Sequence, residues 1–350
     1  MDAFYASVEV RENPALRGLP VIVGHPGRRG VVATCSYEAR KFGVRSAMPS
    51  STAGRLCPKG IFLPPRIGFY REESREIMKI VHACGGTIEQ MSIDEAYIEM
   101  TEQMTGDGAA HDELLDASVP LAREIKERIR GGRHLTATIG IAGNKFLAKL
   151  ASDLQKPDGL TVIHEQGKAE FLREMPVRKI HGVGGATEKV LAGAGIFTIG
   201  DLQSYSGDLR ALVGVFSQRL RAYAFGNDSR PLELGDEIKS ISSEETFERD
   251  TMDRPRLRRC LWEQASEIGA KLKRKRLVAQ TVQVKLRYSN FETLTRQISL
   301  EDPLQEAREI YRMACFLLAR EKLVRKPLRL IGVGVSGLIE GEPRQLRFGL

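Results

Sequence analysis

The stretch MSIDEAY, residues 91–97, sets two carboxylates, Asp94 and Glu95, side by side among apolar neighbours in a strand-like run, TIEQMSIDEAYIEM (87–100). Adjacent carboxylates are costly to bury unless a cation compensates them. Mg²⁺ prefers a few carboxylates plus substrate phosphates, so the pair reads as part of a metal site for phosphoryl transfer. On a regular strand, however, neighbouring side chains face opposite sides, and one of the two would simply be solvated. Taken alone, the pair leaves both readings open.

Three further segments favour the metal. SYEARKFGVRSAMP (36–49) spaces Tyr37 and Arg40 three apart, neighbours on one helical face. A phenol and a guanidinium presented together suit a triphosphate, which takes charge-assisted bonds. NKFLAKLASDLQKPDG (144–159) brings Lys156 just before a helix-breaking proline, where an ammonium can reach a phosphate. The opening MDAFYASVE (1–9) offers Phe4 and Tyr5 in succession.

Outward from these segments the chain changes character twice. Residues up to about 165 alternate strands and helices: LPVIVG (19–24), GVVATCSY (30–37) and LTATIGIA (135–142) read as strands, and 67–84 and 145–154 as helices. From 168 to 226 the pattern is helical with Gly-rich turns. One of them, IHGVG (180–184), puts Gly182 and Gly184 before a helix. It resembles the helix-hairpin-helix motif, which holds a DNA phosphate on backbone N–H groups; a plain interhelical turn would look similar. SRPLELGDEIKS (229–240) suits a linker, and a βαββαβ-like pattern follows. Within it TVQVKLRY (281–288) alternates, with Val282, Val284, Leu286 and Tyr288 on one face and Thr281, Gln283, Lys285 and Arg287 on the other.

Composition bounds the class. The 350 residues carry 42% hydrophobic and 28% charged side chains, enough for several packed cores. No long apolar run or signal peptide is present, so a soluble, cytoplasmic protein without a membrane partner is expected. The five cysteines are scattered and lack metal-ligand pairing, which predicts reduced, mostly buried thiols. Of the net +8, residues 254–296 hold twelve Lys or Arg against three Glu, a local +9, leaving about −1 elsewhere. Such a block, centred on KLKRKR (271–276), favours a polyanion partner.

SIDEAY, SYEARKFGVRSAMPS, NKFLAKLASDLQKPDG, IHGVG and MDAFYASVE, in this order and spacing, resemble the Y-family translesion DNA polymerases of the bacterial DNA polymerase IV type. The resemblance covers essentially the whole chain. It implies an α+β multidomain right hand: palm in residues 1–165 with small fingers inserted at about 3–66, helical thumb in 166–230 and a linker at 231–239. The little finger would occupy 240–340 and a clamp-binding tail 341–350. It implies two Mg²⁺ ions held by Asp94 and Glu95, a triphosphate held by Thr34, Tyr37, Arg40 and Lys156, and Tyr5 as a steric gate against ribose. Phe4 reads as a core aromatic. The DNA grip falls to Gly182, Gly184, Lys273, Arg274, Lys275, Arg276, Lys285 and Arg287. Gln345, Leu346, Phe348 and Leu350 would dock in a sliding clamp. The implied partners are primer-template DNA, deoxynucleoside triphosphates and the clamp, the implied state a monomer, and the copying error-prone and without proofreading.

The opening departs from the family pattern. There an aspartate ligating both metals precedes the position of Asp2 by two residues, and here Met1 is the residue between. Asp2 is only a weak substitute. The expectation is therefore that the sequence starts at an internal methionine and that the chain as written polymerises poorly. The alternative is a catalytically impaired DNA- and clamp-binding protein.

Overall fold

A computed structural model describes residues 1–100, 111–235 and 238–341. The chain divides into two compact units, Met1–Leu234 and Gly235–Leu350.

In the first unit a three-stranded sheet is centred on β1 (Val21–Gly24), antiparallel to β2 (Val32–Cys35) and parallel to β3 (Ile61–Leu63). β1 is buried on both faces, and strand alternation sends its side chains into two cores. Ile22 packs with Val32, Cys35, Ala39 of α2 (Tyr37–Lys41) and Ala53 of α3 (Ser50–Leu56). Val21 and Val23 pack with Phe4, Ala6 and Val8 of α1 (Phe4–Glu12) and with Tyr70, Ile77 and Val81 of α4 (Ile67–His82). Phe4 is 3% exposed, a core aromatic as expected.

The run 87–100 is not one strand. It folds into an antiparallel hairpin, β4 (Thr87–Gln90) and β5 (Ala96–Glu99). The Met91 and Ser92 amides both donate to the Glu95 carbonyl, and the Ser92 hydroxyl donates to Asp94 Oδ1 at 3.0 Å. These local bonds close a turn at the point where a continuous strand would have buried two carboxylates. After α5 (His111–Ala117) and α6 (Val119–Arg133), LTATIGIA yields only a four-residue strand, β6 (Ile139–Ala142). Among the described residues it pairs with one strand, β7 (Leu160–Ile163), in parallel along just those residues.

Between them runs α7 (Lys145–Leu154), capped by Asn144, whose side chain accepts from the Leu147 amide at 3.0 Å. α7 lies directly on β6: a Cβ at Gly140 would come within 2.2 Å of the Ala148 carbonyl oxygen, so only glycine fits there. The buried stripe of α7 (Phe146, Leu147, Leu150, Ala151) shares one core with the helices that follow. These are α8 (Lys168–Arg173), α9 (Gly185–Gly193), α10 (Ile199–Ser204), α11 (Leu209–Val213) and α12 (Ser217–Ala224). The all-helical segment is thus welded to the α/β part rather than hung from it.

The second unit is a four-stranded antiparallel sheet in the order β10-β9-β11-β8, from β8 (Ser240–Thr251), β9 (Leu277–Tyr288), β10 (Thr293–Leu304) and β11 (Leu328–Glu340). With α13 (Arg254–Lys275) and α14 (Ala307–Arg320) the order is βαββαβ. Val282, Val284, Leu286 and Tyr288 of β9 join Leu261, Ile268 and Leu272 of α13 and Ile310 and Leu317 of α14 in one core. The alternation read from TVQVKLRY is therefore the core-facing pattern.

All five cysteines are free; Cys35, Cys57 and Cys260 are buried. Among the described residues, no helix is long and apolar enough to cross a membrane.

Candidate active site and nucleic-acid interface

A cavity of about 320 Å³ opens in the first unit, and it gathers residues from five segments. Tyr5 comes from α1, Thr34 from β2, Tyr37 and Arg40 from α2, Asp94 and Glu95 from the hairpin turn, and Lys156 from the turn after α7. Every residue read from the sequence as a metal ligand, triphosphate ligand or steric gate lines this one space, Asp2 excepted.

Local structure explains each position. Ser36 caps α2, its hydroxyl accepting from the Ala39 amide, and the one-turn spacing lays the Arg40 guanidinium over the Tyr37 ring, 4.6 Å from its centroid. Among the described residues, the buried Tyr37 hydroxyl has no hydrogen-bond partner. A buried orphan hydroxyl costs free energy unless a ligand satisfies it. Burial, first, and then the Asp2 charge push its pKa up, so it stays a donor. Lys156 pairs with Asp153 Oδ1 at 2.7 Å. Its turn is held from behind: the buried Lys126 ammonium donates to the Asp158 and Gly159 carbonyls, the latter at 2.9 Å.

Asp2, weighed as a substitute ligand, already has a hydrogen bond on each carboxylate oxygen. Oδ1 accepts from Thr138 Oγ1 at 2.7 Å and Oδ2 from the Asp158 amide at 2.9 Å, at 1% exposure. It braces the turn that carries Lys156. The Met1 nitrogen donates to the Asp94 carbonyl at 2.7 Å, drawing the first residues against the hairpin turn.

Asp94 is half-buried and Glu95 exposed. Sequence reasoning passed over Lys149 of α7, whose ammonium holds Glu95 Oε1. The hard oxygens of the two carboxylates, facing a cavity with Arg40 and Lys156, fit a divalent cation that keeps substrate oxygens and water in its shell. Among the described residues no cluster of three or more His, Cys, Asp or Glu is placed to hold a metal. Among the described residues, the carboxylates that line the cavity are these two.

A second cleft of about 260 Å³ is lined by residues that include Lys149 and Leu150 of α7 and Arg178, Lys179, His181 and Gly182. Gly182 has φ +98° and a Cβ there would meet the Phe216 ring at 2.9 Å, so the loop needs glycine for its own packing as well. Gly184 is the N-cap of α9, and no side chain caps that helix's first turn.

In the second unit, Thr281, Gln283, Lys285 and Arg287 lie on the sheet face away from the helices. The register sets them beside Thr293, Thr295, Gln297 and Ser299 of β10 and Gly332, Gly334 and Ser336 of β11. This face is richer in hydroxyls and glycines than the sequence suggested, and Lys285 is already paired to Glu244 at 2.7 Å. Arg287 donates to Thr293 Oγ1 at 2.8 Å. At the end of α13, Lys273 pairs with Glu306 at 2.7 Å. Among the described residues no ion pair engages Arg274, Lys275 or Arg276. Gln345, Leu346, Phe348 and Leu350 lie outside the described residues.

Comparison with known proteins now bears on this geometry. Residues 1–153 match the impB/mucB/samB family, 165–196 the IMS family HHH motif, and 238–348 the impB/mucB/samB family C-terminal domain. DNA polymerase IV of Halorhodospira halophila is 43% identical over 99% of this chain and 94% of its own length. DNA polymerase IV of Clostridium perfringens is 41% identical over 99% and 96%. Among solved structures, a chimera of the Y-family polymerases Dbh and Dpo4 matches at TM-score 0.82 and 28% identity, covering 97% of this chain and 98% of that one. An insertion ternary complex of Dbh DNA polymerase matches at TM-score 0.68 and 29% identity over the same shares. The chain belongs to the impB/mucB/samB family, among the Y-family DNA polymerases of the bacterial DNA polymerase IV type.

Proposed function

We propose that the chain is a template-directed DNA polymerase for translesion synthesis, adding deoxynucleotides to a primer 3′ end without proofreading, and that the 320 Å³ cavity is its active site. The observation that carries this reading is the convergence of Asp94, Glu95, Tyr37, Arg40, Lys156 and Tyr5 on one space from segments up to 151 residues apart.

The family depends on divalent metal. In this chain Asp94 and Glu95 would hold two Mg²⁺ ions, which, when bound, activate the primer 3′-oxygen and neutralise charge on the leaving pyrophosphate. Arg40, Lys156 and the Tyr37 hydroxyl bind the triphosphate, the guanidinium by paired charge-assisted bonds and the ammonium as a point charge. Thr34 adds a hydroxyl to the same wall. Tyr5, on the wall of the same cavity, is the gate whose ring would clash with a ribose 2′-hydroxyl. Gly182 and Gly184 receive a backbone phosphate, and the block Lys273–Arg276 with Lys285 and Arg287 follows the duplex without reading bases.

The protein acts as a cytoplasmic monomer on primer-template DNA, and Gln345, Leu346, Phe348 and Leu350 dock it on a sliding clamp. Binding without catalysis is the less favoured reading, because a DNA tether has no use for a triphosphate cradle or a sugar gate.

Single-turnover primer extension with Mg²⁺ tests the site. Arg40→Ala should raise the half-saturating triphosphate concentration while leaving primer-template affinity unchanged. Equal loss of both would move the triphosphate site elsewhere.

A further inference from the structure

Behind Tyr5 lies a chain of contacts that neither the phosphates nor the carboxylates use. The Tyr5 ring stacks on the Tyr70 ring, with centroids 4.2 Å apart and planes inclined by 12°. Tyr70 is completely buried and donates its hydroxyl to Glu9 Oε1 at 2.5 Å. Glu9, 8% exposed, is gripped in turn by Arg66, whose Nε and Nη2 donate to its two oxygens at 2.8 and 2.7 Å. Both spacings are single helical turns. Tyr5 and Glu9 are i, i+4 on α1; Arg66, the residue just before α4, and Tyr70 are i, i+4 at its start. Burial, followed by the Glu9 hydrogen bond, pushes the Tyr70 phenol up to about 12, so it remains a donor across the working pH range.

We infer that Glu9 and Tyr70 are positioning residues for sugar discrimination: the Arg66-clamped carboxylate fixes the Tyr70 ring, and that ring fixes the height and tilt of Tyr5. This rests on the proposed role of Tyr5 as the gate. Stacking favours an offset arrangement but contributes only modestly beyond the area it buries, so by itself it holds a ring loosely in register. A hydrogen bond to a bidentate-clamped carboxylate removes that freedom. The gate works by a steric margin of the order of one hydroxyl, so its floor must not slide. A core ion pair with no functional role would also weld α1 to α4, but would not govern which sugar enters.

The two roles separate by measurement. On a dideoxy-terminated primer-template facing a templating thymine, with Mg²⁺, the affinities for deoxyadenosine and adenosine triphosphates give a discrimination ratio free of the chemical step. Tyr70→Phe keeps the ring and the core and removes only the hydroxyl; Glu9→Gln keeps the shape and removes the charge. Both should lower the ratio by at least about fivefold, through tighter ribonucleotide binding, with deoxynucleotide affinity held within about twofold. Tyr5→Ala should lower it further, and adding Glu9→Gln to Tyr5→Ala should change it no more. Thermal melts run in parallel show each variant folded. If Tyr5→Ala collapses the ratio while Tyr70→Phe and Glu9→Gln leave it at wild type, with or without a lower melting temperature, the support role is wrong. If Tyr5→Ala leaves the ratio unchanged, the gate assignment itself fails, and this inference with it.

Discussion

On the proposed function, the cavity of the first unit and the outer sheet face of the second would handle a polyanion by opposite means. The cavity collects charges from α2, the β4–β5 turn and the turn after α7, and three of them are anchored by a partner: Lys149 on Glu95, Ser92 on Asp94, Asp153 on Lys156. The sheet face is a single periodic surface of hydroxyls and glycines with two cations, one of them neutralised by Glu244. Chemistry on a phosphorus atom needs charge fixed to fractions of an ångström, and so needs a braced site. Following a duplex needs only a flat polar surface whose contacts are individually weak and interchangeable.

That contrast can be broken most forcefully at Asp94. Asp94→Asn should cut the single-turnover extension rate by about 10³-fold or more while leaving primer-template affinity within about threefold, since the group acts on the transition state. A rate within tenfold of wild type would place the metal elsewhere.

Next in size is an ion-pair cluster that joins three helices of the same unit. Glu73, 3% exposed, accepts from both Arg11 and Arg133 and welds α1, α4 and α6 together. Burial alone would push its carboxyl up; hydrogen bonds from Arg133 and Arg11 outweigh this and bring it down to about 2 from 4.5. A depressed carboxyl contributes stability that is fully present above pH 4.5 and is lost as pH falls towards 2. The contribution is about 3 kcal/mol. Denaturation of wild type against Glu73→Gln should show a gap at pH 7 that narrows through this window; a gap independent of pH would refute the assignment.

Arg40→Ala should weaken triphosphate binding by about 10- to 100-fold, the worth of a charge-assisted contact to phosphate. A change under about threefold would mean that Tyr37 and Lys156 suffice.

The smallest effect belongs to the sheet. Lys285→Ala with Arg287→Ala should lower DNA affinity only severalfold and reduce the salt slope by about two at most, and by nearer one if Glu244 already holds Lys285. A loss comparable to that of Asp94→Asn in extension would erase the proposed division between braced site and tolerant surface.

How much of this was legible depended on the range of the interaction. α2, α4, α7 and the alternation of β9 follow from periodicity and caps such as Ser36 and Asn144, which act within a few residues. The hairpin turn at Ser92–Glu95 was not legible as such, because its apolar flanks read as one continuous strand and only the hydrogen bonds to the Glu95 carbonyl reveal the reversal. Lys149 reads as one more basic residue on a helix until folding sets it against Glu95. Asp2 read as a weak substitute metal ligand; its partners Thr138 and Asp158 are far along the chain, and the bonds they make to both its oxygens are visible only in the fold.

Sequence alone nominated Asp94, Glu95, Tyr37, Arg40 and Lys156 through side-chain type and local spacing, and Tyr5 through the family resemblance; the fold sets all six on one cavity. Tertiary structure decided which of them are braced and by what. Tyr5 on Tyr70, Tyr70 on Glu9 and Glu9 on Arg66 join two helical turns some sixty residues apart. Each i, i+4 spacing is visible in the sequence, but their meeting is not. Helical periodicity tells which residues share a face; only burial of that face against another tells whom they touch.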